Sequence, residues 1–189
     1  MMEESSRFLS LSGLSGILVG IFAITGALIS SDILSSGTDN GMYESKMVTQ
    51  LGIIAAIVLI LSLVTIIIHT NRKTKKAGKK FWNAGSRLMM INLAVPLISG
   101  GLLIFVLLYK EYFDIILPVT LIFYGLALVN ASKYTRHEIF YLGIFEILLG
   151  ICASIFTSFG LLIWAFGFGV LHIIYGTLMY FRYEYKSNA

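Results

Sequence analysis

The chain has 189 residues, 57% of them hydrophobic and only 13% charged, with a formal net charge of +4. Soluble domains carry about 25% charged residues, so this chain cannot cover a soluble globule of its size. The mean hydropathy of +0.86 assigns part of the solvation to lipid.

Apolar stretches near the roughly 20 residues that cross a bilayer recur along the chain. In order they run over Leu9–Ser30, Val48–His69, Leu88–Tyr109, Ile115–Ala131, Ile139–Thr157 and Leu161–Phe181. Helices are expected, because each satisfies its own backbone inside lipid. A barrel needs strict alternation in short segments, and "IIAAIVLILSLVTIII" shows none. The predicted fold is an all-α, polytopic bundle of six transmembrane helices forming one membrane domain over residues 1–189. The leader "MMEESSRF" holds two glutamates and one arginine. The apolar run after it is longer than the about 7–15 residues of a signal peptide, so it is expected to stay as an anchor. The lone Cys152 cannot form an internal disulfide and reads as a small residue facing lipid or core.

Lys and Arg near the ends of spans set orientation. Twelve of the fourteen basic residues fall on one side: Arg7, the run from Arg72 to Arg87, Lys133, Arg136, Arg182 and Lys186. The other side keeps Lys46 and Lys110, with Asp32, Asp39, Glu44, Glu111 and Asp114. Both termini are therefore expected in the cytoplasm. The loop "NRKTKKAGKKFWNAGSR" reads as a topology determinant. Arg72, Lys73, Lys75, Lys76, Lys79 and Lys80 would rest on anionic lipid head groups, with Trp82 as an interfacial anchor. A docking site for a partner is the other reading. The positive-inside rule accounts for the charge without nucleic acid.

Two segments echo others. "GLSGILVG" at Gly13 aligns with "GIFEILLG" at Gly143, with Glu146 in the place of Gly16. "PVTLIFYGLALVNASKY" from Pro118 aligns with "GVLHIIYGTLMYFRYEY" from Gly169, and "VPLISGG" in the third span is a weaker echo. A triple helical-hairpin repeat follows from these matches.

The residues that break the apolar pattern are the candidate site. Gly143, Glu146, Gly150 and Ala153 share one helical stripe, and Ala165, Gly169, His172 and Gly176 share another. Small residues mark helix contacts in membranes, so both polar groups are expected on packing faces. Glu146 lies ~12 Å in from Glu138 and His172 ~15 Å in from Arg182, at 1.5 Å per residue. A short connection around Ser158–Gly160 makes the last two spans an antiparallel pair, so Glu146 and His172 are expected to face each other. Tyr175 is adjacent, and Tyr124 reaches the same level. A lone ionised carboxylate at this depth costs at least ~3 kcal/mol, which pairing or protonation offsets. Two readings stay open: a Glu–His or Glu–Tyr hydrogen bond that locks the bundle, or a protonatable site for a proton, cation or polar solute. In the third span Pro96 removes a hydrogen bond to the carbonyl of Asn92, predicting a kink, with Asn92 as a further candidate wall of the polar site.

No phosphate-binding loop, metalloprotease motif or nucleophile elbow is present. Three scattered histidines do not converge on a metal. No enzyme activity, cofactor or metal is expected. The runs "FYGLALVNASKYT" and "GFGVLHIIYG" resemble small bacterial six-helix integral membrane proteins of the Bacteroidota type. The triple-hairpin layout loosely resembles acid-resistance membrane proteins of the HdeD type. The first resemblance implies a bacterial cytoplasmic (inner) membrane protein, and neither carries an activity. The functional expectation is a small transporter- or channel-like protein with a buried Glu/His site. The alternative is a structural or regulatory membrane subunit, with self-association or a membrane partner.

Overall fold

A computed structural model describes residues 13–36, 45–76, 78 and 82–185. They are helical, with no strand among them. Six helices are long and apolar enough to cross a membrane: α1 Gly13–Ser36, α2 Ser45–Lys76, α3 Ala84–Tyr109, α4 Phe113–Tyr134, α5 His137–Ile155 and α6 Thr157–Glu184. The bundle is that of a multi-pass membrane protein. Large apolar side chains such as Leu59, Ile98, Phe105 and Leu162 point outward from it, as they must when the solvent is hydrocarbon. Cys152 is on this outer surface.

Helix α2 runs seven residues beyond the predicted end at His69, as far as Lys76. At 1.5 Å per residue its 32 residues span about 48 Å, more than the ~30 Å hydrocarbon core. Arg72, Lys73, Lys75 and Lys76 therefore ride on a helical extension, where the C-terminal dipole favours positive charge. Lys73 Nζ lies 2.9 Å from Glu184 Oε1 at the end of α6. The same oxygen accepts the N–H of Gly13 at the start of α1, at 3.0 Å. One carboxylate thus gathers three helix ends. Trp82 is exposed; Lys79 and Lys80 lie outside the described residues. Helix α3 starts on a reciprocal cap. Asn83 Oδ1 accepts the Ser86 N–H at 2.9 Å, and Ser86 Oγ accepts the Asn83 N–H at 2.8 Å. It continues as one helix through Pro96.

The helices pack in the spatial order α2, α1, α6, α5, α4, α3, so the first and third spans are not neighbours. The core lies among α1, α4, α5 and α6; α2 and α3 flank it. Two interfaces are copies of each other. A Cβ added at Gly125 of α4 would meet the Gly143 carbonyl oxygen of α5 at 2.6 Å. One added at Gly176 of α6 would meet the Gly13 carbonyl oxygen of α1 at 2.6 Å. Gly150 lies against Pro118 and Ile122, while Gly20 lies against Gly169 and Ile173. These are the same positions under the two sequence alignments. The α1 stripe of Gly13, Gly16 and Gly20 is thereby used within the chain, against α6. Helices α2 and α3 stand at the two ends of this order and share no substantial interface. Gly52, the one glycine of α2, has nothing within 4 Å of its Cβ position, and the same holds for Gly101 of α3.

Candidate functional site

The polar site forms where α4, α5 and α6 meet. On α5 the predicted stripe is realised: Gly143, Glu146, Gly150 and Ala153 are buried together, and Glu146 is fully so. On α6 three of the four predicted stripe residues, Gly169, His172 and Gly176, are buried, and Ala165 is not. Residues Ala165–Leu171 are π-helical, a geometry with hydrogen bonds five residues apart instead of four. The extra residue per turn carries Ala165 off the packing face and brings Gly167 onto it with His172. Buried on α6 are Gly167, Gly169, His172, Tyr175 and Gly176.

His172 is the centre of the arrangement. Its Nε2 is 2.7 Å from the Tyr124 hydroxyl, and its Nδ1 is 3.1 Å from the Gly167 carbonyl oxygen. The neutral ring that fits both is the Nδ1–H tautomer, donating to Gly167 and accepting from Tyr124. Glu146 Oε1 approaches Nδ1 at 3.5 Å. Neither carboxylate oxygen has a hydrogen-bond partner, although both are buried. Gly167 makes the approach possible, since a Cβ there would stand 2.6 Å from Glu146 Oε2. Two net-neutral forms are available to the pair, carboxylate with imidazolium or carboxylic acid with imidazole. They differ only in which group holds the proton. A further proton, or its loss, leaves one net charge in a low-dielectric interior.

Of the five predicted site residues, the structure brings Glu146, His172 and Tyr124 together. Tyr175 sits one turn away among Leu128, Ile139, Leu142 and Met179, and its buried hydroxyl has no partner. Asn92 is not part of the site. Its Nδ2 donates to the Leu88 carbonyl oxygen at 2.8 Å on its own helix, because a side-chain donor four residues on is well placed to reach that acceptor. Asn92→Ala is therefore expected to change the thermal unfolding midpoint in micelles by an amount equivalent to no more than ~0.5 kcal/mol.

Comparisons with protein-family models, with curated proteins and with solved structures find no match for this chain.

Several functional neighbours are not singled out by the sequence reading. Phe168 stacks on His172 with ring centroids 5.9 Å apart and planes at 16°. It also contacts Tyr124 at 4.8 Å and Trp164 at 4.9 Å. Trp164 Nε1 in turn donates to Thr120 Oγ1 at 3.0 Å. The signal was available: Trp164, Phe168 and His172 are spaced by four. The Gly167 carbonyl carried no such signal, because the π turn that presents it has no composition cue here. At the basic end of the α5–α6 pair, the Tyr183 hydroxyl donates to Glu138 Oε1 at 2.7 Å. Arg182 reaches the same oxygen at 2.9 Å.

Proposed function

We propose that this protein is a small transporter- or channel-like membrane protein that takes a proton or small cation at Glu146 and His172. The observation that carries this reading is the state of the Glu146 carboxylate. Both oxygens are buried without a hydrogen bond among the described residues; the imidazole 3.5 Å from Oε1 has its two nitrogens facing Tyr124 and Gly167. A contact that only locked helices together would saturate its acceptors, since unsatisfied buried polar atoms are costly. A group that must receive and release a proton or cation keeps acceptor capacity in hand. Ionisable residues inside membranes lean to such roles.

In the same proposal the basic end of the bundle faces the cytoplasm of a bacterial cell, with the protein in the inner membrane. The helical extension of α2 rests Arg72, Lys73, Lys75 and Lys76 on anionic head groups.

One observation favours the structural or regulatory reading instead. Two cavities formed by described residues lie at the ends of the bundle, and neither is lined by Glu146 or His172. Flux into proteoliposomes separates the readings. Purified protein is reconstituted around a pH-sensitive dye, and a potassium diffusion potential is applied with or without sodium. Faster dissipation of the proton or sodium gradient than in protein-free vesicles is expected. Vesicles as tight as protein-free ones to protons, sodium and potassium would leave the structural role in its place.

A further inference from the structure

A second polar locus lies at the basic end of α5 and α6, outside the Glu146 site. Arg136, His137, Glu138, Tyr141, Arg182 and Tyr183 line a cavity of about 290 Å³ there. Its only carboxylate among these residues, Glu138, is engaged through Oε1 with both Tyr183 and Arg182. Two guanidinium groups against one carboxylate leave the lining net positive.

Arg136 makes no close ion pair among the described residues, although its charge acts on Glu138. Its guanidinium lies 3.5 Å above the Tyr183 ring, which fixes the fork in one plane. No carboxylate among the described residues is within ion-pair distance of it. Its Nε–H is buried and has no acceptor. A pre-positioned guanidinium lining the cavity is a charged donor set of the kind that matches phosphate oxygens. Arg136 is also the N-cap of α5 and gives no side-chain acceptor to the first-turn amides. The helix dipole there adds to the preference for an anion.

The surroundings say what carries the phosphate. Tyr141 lines the cavity, and on the same two helices Phe140 and Phe145 of α5 and Leu178 and Phe181 of α6 are exposed on the apolar outer surface. Aromatic side chains at this level belong at the boundary between head groups and acyl chains. A free phosphate would use the charge and leave that surface to other lipid. A glycerophospholipid uses both.

We propose that this cavity is a specific site for the phosphodiester of an anionic phospholipid, with Arg136 as its principal contact and the acyl chains lying along α5 and α6. The test is lipid retention. Full-length protein in micelles is exchanged with phosphatidylglycerol, phosphatidylcholine or inorganic phosphate, and bound species are counted by native mass spectrometry. Wild-type protein is expected to keep phosphatidylglycerol in preference to phosphatidylcholine, and inorganic phosphate is expected not to displace it. Arg136→Gln should lower retention about five- to tenfold, the effect of one basic side chain at a lipid surface. Lys133→Gln, an exposed charge nearby but outside the lining, should change it less than about twofold. Arg136→Lys keeps the charge and loses the planar donor set, so it should fall between them. It also serves if the glutamine variant does not fold. Equal retention of the two lipids by wild type, or no loss in either Arg136 variant, would overturn the site. Displacement by inorganic phosphate would overturn the lipid assignment.

Discussion

Glu146→Gln is expected to abolish proton or cation flux in proteoliposomes, by at least about tenfold, while the protein still elutes as a folded species. The amide matches the carboxyl in size, so the glycine-lined contact with Gly167 is preserved. It cannot bind and release a proton. The two readings of the site then part on stability. If Glu146 and His172 formed a saturated ionic lock, removing one charge would strand the other and cost about 3–5 kcal/mol. The carboxylate oxygens here have no hydrogen-bond partner to lose, so the expected cost is below about 1 kcal/mol. Thermal unfolding in micelles, run beside the flux assay, checks both halves. Unchanged flux in the glutamine variant would remove Glu146 from the mechanism. A collapse in stability would move it to the structural role. Tyr124→Phe is the companion change: it deletes the donor to His172 Nε2 and leaves Glu146 in place. Reduced flux with unchanged gradient selectivity is expected from it.

Gly176→Ala is expected to be among the most damaging single-methyl changes in the protein. Its Cβ would meet the Gly13 carbonyl oxygen and the Ile17 nitrogen, each at 2.6 Å, and the Gly16 carbonyl carbon at 2.9 Å. All three are backbone atoms and cannot rotate aside, so α1 and α6 must separate. Overpacking of a closed interface costs typically ~1–3 kcal/mol, and a rigid backbone neighbour puts this site at the upper end. Gly125→Ala meets the Gly143 carbonyl oxygen at 2.6 Å and is expected to cost the same, because it is the same position in the repeated interface. Gly52→Ala supplies the control. Nothing lies within 4 Å of its Cβ position, and alanine is the better helix former by about 1 kcal/mol. It should be neutral or stabilising. The measurement is the unfolding midpoint of the three variants in the same detergent. Equal effects at Gly176 and Gly52 would show that the α1–α6 contact does not hold the bundle.

The repeated interface also explains how the chain closes. Gly13 and Glu184 are 171 positions apart and share a hydrogen bond. Helix α1 completes the α6 surface as α5 completes that of α4. Helix α2 lacks the Tyr-Gly pair that α4 and α6 carry, and it packs on α1 rather than on α3. Of the three expected copies, the structure shows the glycine interface twice, at α4–α5 and at α6–α1.

Much of this was present in the amino-acid sequence. Span number, the clustering of basic residues at alternate helix ends and the packing face of α5 follow from local composition and a 3.6-residue period. Those quantities depend on near neighbours in the chain. The shared depth of Glu146, His172 and Tyr124 followed as well, because depth is a count along a helix of known rise. Only the tertiary structure decided what each side chain touches. It gave His172 to Tyr124 and the Gly167 carbonyl, left the Glu146 oxygens unpartnered, returned Asn92 to its own helix and joined Lys73, Gly13 and Glu184. The π-helical stretch Ala165–Leu171 of α6 put Gly167 on the packing face beside the expected Gly169, His172 and Gly176, which a 3.6-residue period alone does not give. Which helices become neighbours is set by contacts far apart in the chain, whose geometry no local pattern contains.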